Sequence, residues 1–171
     1  AHRAIAKLQS KYKVINATQN IEDLLERAGC ENVIHLHGDI LHRECEHHKS
    51  LTMLDGDQNF QCDFRVPQTV AVKVGDKCPQ CGGQLRPDIV WFGEPVHNMA
   101  LVEPLVPDTD IFIVVGTSAV VHPAASLIWM FKRSEQLYFV DPVDQPRLHS
   151  YKRLIGPATE KVPPLVEELL A

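Results

Sequence analysis

The sequence predicts an α/β fold: a Rossmann-like parallel sheet, incomplete at its N-terminus, with a small zinc-binding module inserted into it. Three observations carry this expectation. Residues 110–115 (DIFIVV) and 137–140 (LYFV) are apolar runs of strand length, and between them Leu127, Ile128 and Phe131 keep helical spacing. Near-continuous apolar strands alternating with helices suit a parallel sheet covered on both faces. Between residues 39 and 87 the helical periodicity fades and four of the five cysteines collect, which marks an inserted module.

Each element follows from its own signals. Residues 1–12 have helical spacing, with Ala4, Ile5 and Leu8 on one face. That pattern is already under way at Ala1, which is not a methionine, so the sequence reads as continuing from an upstream segment. Residues 13–17 form a short strand, residues 21–28 a helix stopped by Gly29, and residues 33–36 a second strand. The helix through Leu127 has Pro123 in its first turn, where a missing N–H costs nothing, and residues 163–170 close the chain as a helix. The expected domains are therefore 1–38 with 88–171, and 39–87. Within the module, residues 41–49 and 61–73 supply short strands, with turns at Asp55-Gly56 and Gly82-Gly83.

Composition narrows the function. With 171 residues, 44% hydrophobic and 23% charged, the chain supports one core and a small annex. A formal charge of -5 gives no electrostatic reason to expect nucleic acid or an anionic membrane as partner. The most apolar run, residues 111–115, is far too short to cross a bilayer, and the four lysines and arginines of residues 1–13 precede no signal-type apolar stretch. An odd number of cysteines, two of them in a Cys-X-X-Cys pair, favours metal binding in a reducing compartment such as the cytoplasm.

The metal signal is Lys77-Cys-Pro-Gln-Cys-Gly-Gly83, the form of a zinc knuckle: two thiolates leave one tight turn, and glycines let backbone amides approach the sulfurs. Cys45 and His48, in Cys-Glu-His-His, have the spacing of a second half-site. The expected ligands are Cys45, His48, Cys78 and Cys81, with Cys62 the alternative that would make the set all-cysteine. Four protein ligands leave no open position, which makes the ion structural. Cys30 is read as a spare thiol, and His42 and His47 as solvated surface.

Several short motifs then point to a family. Thr18-Gln-Asn-Ile21, Leu36-His-Gly38, Ile89-Val-Trp-Phe-Gly-Glu94, Gly116-Thr-Ser118 and Val121-His-Pro-Ala124 occur in this order around the cysteine module. The ordered set resembles that of the sirtuins, NAD-dependent protein lysine deacylases. The resemblance implies a Rossmann-like domain joined to a zinc-binding domain, with NAD and an acylated lysine peptide as ligands. It further implies that the acyl oxygen attacks the nicotinamide ribose, that nicotinamide leaves, and that a histidine, here His37, acts as base on a ribose hydroxyl. Gln19, Asn20, Ile21 and Glu22 would line the nicotinamide pocket. Gly116, Thr117, Ser118, Asp141 and Ala158 would hold the rest of NAD, and Val90, Trp91, Phe92 and Gly93 would form a strand that pairs with the substrate peptide.

On the residues alone, His37 is equally a hydrogen-bonded structural histidine, Asn20 a helix cap, Asp141 a turn residue before Pro142, and one of Trp91 and Phe92 a core aromatic. Two departures from the family pattern stand out: Glu22 and Asp141 replace its aspartate and asparagine. The family's opening glycine-rich loop and the Asp-Phe-Arg loop after it precede the point where this sequence begins; Asp63-Phe64-Arg65 has those letters inside the module instead. The 171-residue chain alone is thus expected to be catalytically silent. The competing expectations are a non-catalytic binding module and an ADP-ribosyltransferase or NAD hydrolase on the same fold.

Overall fold

The computed structural model describes residues 1–48, 62–117 and 124–171, which form two compact units. The first comprises Ala1–Asn16, Leu24–Ile34 and Met99–Ala171; the second comprises Ala17–Asp23 and His35–Asn98. The described residues of the expected module, 39–48 and 62–87, lie inside the second unit. That unit also takes in the Thr18, Leu36 and Trp91 motifs, which the expectation had assigned to the larger domain.

The first unit is built on three parallel strands, β6 (Ile111–Val115), β7 (Gln136–Asp141) and β8 (Lys152–Ile155), in that spatial order. Before them along the chain run α1 (His2–Lys7), β1 (Asn16–Thr18), α2 (Leu24–Arg27), β2 (Val33–His35), β3 (Gly38–Cys45), β4 (Arg65–Pro67), β5 (Leu85–Ile89) and α3 (Met99–Val102). After β6 come α4 (Leu127–Met130) and, at the end, α5 (Ala158–Leu170).

β7 is central and apolar on both sides, as a covered parallel strand must be. Tyr138 and Val140 pack with Leu8, Val162, Leu165, Val166 and Leu169; Leu137 and Phe139 pack with Val114, Ile128, Leu148 and Tyr151. Phe112 stacks on Phe131 with ring centroids 4.4 Å apart. The final helix starts five residues before the predicted 163, with Pro163 and Pro164 inside it. Its buried stripe, Val162, Leu165, Val166 and Leu169, repeats at 3, 1 and 3 residues and outweighs the backbone bonds that the prolines remove. At its C-terminus the orphan carbonyl of Leu169 accepts from Tyr12 Oη (2.7 Å) and Lys11 Nζ (3.0 Å).

Other elements are shorter than predicted. The helix expected over 21–28 is reduced to Leu24–Arg27, although Gly29 does end it with φ +96°. Around Leu127 a 3₁₀ turn, Ala124–Ser126, leads into α4, and Pro123 lies outside the described residues. So do Asp55-Gly56 and Ser118.

The second unit centres on an antiparallel sheet of order β4, β3, β5. Gly38 opens β3 with φ +86°, and a Cβ there would lie 2.3 Å from the Asp88 carbonyl oxygen. Only glycine permits this approach of two backbones. The predicted substrate strand over 90–93 is not formed: β5 ends at Ile89, and the chain turns through Phe92-Gly93, with Gly93 at φ +95°. Trp91 and Phe92 are both exposed, so neither is a core aromatic. No helix among the described residues is long and apolar enough to cross a membrane.

Candidate functional site

Three local arrangements carry the predicted residues. The first is the cysteine cluster of the second unit. β3 ends at Cys45, and a tight turn returns the His48 N–H to the Cys45 carbonyl at 2.9 Å. The knuckle is closed by Gly82 N–H to Cys78 O (2.8 Å) and Cys78 N–H to Gly83 O (2.7 Å), with Gly82 at φ +77°. Cys62 is brought in by its N–H to the His47 carbonyl at 2.9 Å.

The sulfurs of Cys45, Cys62, Cys78 and Cys81 thereby all lie within 4.8 Å of one another, with Cys45 to Cys81 at 3.3 Å and Cys62 to Cys78 at 3.7 Å. A tetrahedral zinc with Zn–S bonds of about 2.3 Å spaces its sulfurs by about 3.8 Å, so the cluster fits the ion. The backbone at Gly83 packs closely on the cluster, since a Cβ there would lie 3.2 Å from the Cys45 sulfur and 2.8 Å from His47 Nδ1. The His47 N–H donates to the Cys45 sulfur at 3.4 Å, the kind of outer bond that steadies a bound thiolate. Burial pushes the Cys45 and Cys62 thiols up in pKa. Burial acts on Cys78 in the same sense, but backbone N–H groups of Cys81 and Gln80 outweigh it and hold that thiol below its ordinary range.

The expected fourth ligand, His48, is not in this cluster. The turn after Cys45 sends its ring to the buried Glu44 carboxylate, with Nδ1 3.4 Å from Oε2. Cys62 occupies the place, and the candidate ligand set is all-cysteine. His47, read as surface, is 40% exposed and also lies with Nδ1 3.9 Å from the Cys81 sulfur, and His42 pairs with Asp39 at 2.7 Å.

The second arrangement surrounds His37, just beyond β2. Its Nδ1 lies 3.0 Å from the Gln19 carbonyl oxygen. A carbonyl only accepts, so Nδ1 carries the proton and Nε2 is left with a free lone pair. His35 makes the same contact one residue on, Nδ1 to Asn20 O at 3.1 Å. Asn20 is not a helix cap: its N–H bonds to Thr18 Oγ1 (3.1 Å) and its side-chain amide donates to Glu22 Oε1 (3.2 Å), while α2 begins only at Leu24. Glu22, where the family has aspartate, thus reaches back to its neighbour. Ile21 takes part through its carbonyl, which accepts from Ile40 N–H at 3.0 Å.

Behind His37 sits a charged network that the sequence reading missed. Asp88, almost fully buried, accepts from Arg65 Nε at 2.7 Å and faces His97 Nδ1 at 3.6 Å. Arg86 grips Glu94 with both terminal nitrogens, one of them at 2.8 Å, and also donates to the Ile89 carbonyl at 2.8 Å. Glu94 Oε2 in turn accepts from the Trp91 N–H at 2.8 Å, which folds the turn over residues 91–94. The Arg86 guanidinium stands 5.9 Å from the Trp91 ring. Burial works against the Glu94 charge, yet the Arg86 and Trp91 N–H bonds keep its carboxyl below the usual range. Glu44 has the opposite balance. Fully buried, it is pushed up to about 7 by burial and by the Asp88 charge, against the pull of Arg86 and Arg65. One signal was available in the sequence, since Arg86 and Asp88 alternate along a short apolar strand.

The third arrangement belongs to the first unit. β6, β7 and β8 are parallel, and register places Val115 beside Val140 and Asp141 beside Ile155. Gly116, Thr117, Asp141 and the Gly156 turn before Ala158 therefore lie at one carboxyl edge, the place where open α/β sheets bind ligands. Gly116 has φ +63° with open space around it, and its N–H bonds to Val140 O at 2.8 Å. Asp141 serves the turn, accepting from Val143 N–H through Oδ1 at 2.8 Å. Ala158 is the first residue of α5.

A parallel sheet covered on both faces with an open carboxyl edge, and a separate unit whose four clustered thiols fit a zinc ion, define an α/β protein with a candidate metal centre. Residues 1–123 match the Sir2 family, and the chain belongs to it. An NAD-dependent protein deacylase of Bacteroides thetaiotaomicron is 36% identical over 171 residues, covering 99% of this chain and 70% of that protein. The crystal structure of a Sir2 homologue in complex with NAD superposes with a TM-score of 0.79 at 35% identity, covering 99% of this chain and 63% of the other. A Sir2 structure bound to a myristoylated histone peptide superposes with a TM-score of 0.72 at 30% identity, covering 98% and 70%. The chain thus spans just under two thirds of the NAD-bound structure it matches.

Proposed function

We propose that this chain carries the base-bearing and zinc-bearing part of an NAD-dependent protein deacylase, which transfers an acyl group from lysine to the ribose of NAD and releases nicotinamide and an O-acyl-ADP-ribose. The observation that carries the reading is the contact of His37 Nδ1 with the Gln19 carbonyl oxygen at 3.0 Å. With Nδ1–H committed to the Gln19 carbonyl, Nε2 is the ring atom left to accept a proton from a sugar hydroxyl. NAD supplies the ribose on which the acyl group is received. Gln19 contacts His37, and Gln19, Asn20, Ile21 and Glu22 are assigned together to the nicotinamide side.

Gly116, Thr117, Ser118, Asp141 and Ala158 are assigned to the remainder of NAD. The Asp141 carboxylate, at the end of β7, favours ribose hydroxyls and repels a 2'-phosphate, which selects NAD over NADP. Zinc on Cys45, Cys62, Cys78 and Cys81 is structural, because the four thiolates fill its tetrahedron. The acylated peptide is assigned to the segment Val90, Trp91, Phe92 and Gly93. The Val90 N–H is already bonded to His37 O at 2.9 Å and the Trp91 N–H to Glu94, so recognition starts from the exposed rings and the turn rather than from a preformed strand. The acidic net charge and five unpaired cysteines favour a cytoplasmic protein that binds neither nucleic acid nor membrane.

The test is His37→Ala in the full-length protein. Turnover of an acetylated lysine peptide with NAD is expected to fall by at least 100-fold, on the order expected for a general base, while zinc content stays unchanged. Equal release of nicotinamide and O-acyl-ADP-ribose marks deacylation; nicotinamide release without acyl-lysine marks an NAD hydrolase instead. Retained turnover removes His37 from the chemistry.

A further inference from the structure

We propose that Asn98 is a positioning residue for the base, a proposal that rests on the reading of His37 just given. Three consecutive carbonyls on the strand end that bears His37 are held by one return segment. Val90 N–H donates to His37 O at 2.9 Å, His97 N–H to Leu36 O at 2.9 Å, and the Asn98 side-chain amide to His35 O at 2.9 Å. Among the described residues Asn98 alone, apart from glycines, has positive φ, at +56°. Asparagine is one of the few side chains that tolerate this backbone. The left-handed step brings the Asn98 amide and the preceding N–H onto the same strand.

The segment between these contacts is the turn assigned to the peptide. Arg86 holds Glu94, and Glu94 holds the Trp91 N–H, so the turn is closed at its base while Trp91 and Phe92 project outward. Beneath it the Gly38 backbone rests on Asp88 with no room for a Cβ. Movement of the turn is therefore passed to residues 35–37 through these hydrogen bonds, because the two backbones already touch. The Asn98 bond is the outermost of the three and the only one made by a side chain, so it is the one that substitution removes cleanly. Its duty is to keep His35-Leu36-His37 in the register that lets the His37 ring reach the Gln19 carbonyl.

Asn98→Gly retains the left-handed backbone and deletes the amide; Asn98→Ala deletes the amide and adds backbone strain. In full-length protein with an acetylated lysine peptide and NAD, Asn98→Gly is expected to lower kcat about three- to tenfold, the worth of one hydrogen bond. The peptide KM should change less than twofold, zinc content should match the parent, and the melting temperature should fall by only about 2–4 °C, the stability worth of the same bond. If Asn98→Ala folds poorly, the glycine variant alone decides. A kcat within threefold of the parent overturns the proposal, as does a fall in kcat accompanied by an equal rise in peptide KM or by loss of zinc. His37→Ala, run alongside, separates the two claims. Its silence with an unaffected Asn98→Gly refutes only the positioning role, whereas its retained turnover refutes the reading beneath it.

Discussion

Gly38→Ala is the substitution whose cost the structure states most directly. Gly38 has φ +86°, where an L side chain is strained by about 1–2 kcal/mol. A Cβ would also stand 2.3 Å from Asp88 O and 2.8 Å from Asp88 C and Ile89 Cα, all of them backbone atoms that no rotamer change can move. Overpacking of this kind costs about 1–3 kcal/mol, so the total loss is about 2–5 kcal/mol. Gly75→Ala is the control, because Gly75 shares the backbone conformation, at φ +98°, but has nothing within 4 Å of the new methyl group. It should cost only the strain, about 1–2 kcal/mol. Urea denaturation of the parent and both variants at fixed zinc measures the difference. Equal losses in the two variants would refute the close approach of β3 to β5. The same displacement lifts Gly38 beside His37, so Gly38→Ala should also lose activity in the full-length protein, whereas Gly75→Ala should not.

Two further outcomes follow from the second unit. Cys62→Ser should lower zinc affinity by at least tenfold, and His48→Ala should leave the stoichiometry at one ion per chain; chelator competition measured by metal release tests both, and the reverse ranking would restore histidine as the fourth ligand. Glu44 titrates with the opposite sign to an ordinary paired carboxylate. Its folded pKa of about 7 exceeds the ordinary 4.5, so the folded state holds this proton more tightly and stability declines as pH rises from the lower value through the higher. At about 1.36 kcal/mol per tenfold change in proton affinity, the ionised carboxylate costs about 3 kcal/mol once pH passes 8. The parent should therefore lose about 1 kcal/mol more than Glu44→Gln between pH 6 and pH 8 in matched denaturation curves. Parallel pH profiles would show that Glu44 is not buried as a charge.

What the sequence disclosed, and what it withheld, divides along a physical line. Elements made by local pattern were legible: the runs at 111–115 and 137–140 became β6 and β7 because a covered parallel strand needs apolar side chains on both faces. The knuckle at Cys78 and Cys81 was legible because its turn closes within six residues. The fourth ligand was not, because the choice between His48 and Cys62 depends on a backbone contact, Cys62 N–H to His47 O, that spacing does not encode, and on a buried carboxylate that draws the histidine ring away. Residues 90–93 fail as a strand for a related reason. Their letters favour extension, since Val, Trp and Phe all fit a pleated surface. Glu94, held by Arg86 eight residues back, takes the Trp91 N–H that a strand would have offered to a neighbour. The long-range pairs Arg86–Glu94 and Arg65–Asp88 thus decide both what the turn displays and what supports His37. Neither pair has a sequence signature beyond two charges in a short apolar strand, which is why the contacts around His37 became visible only in three dimensions.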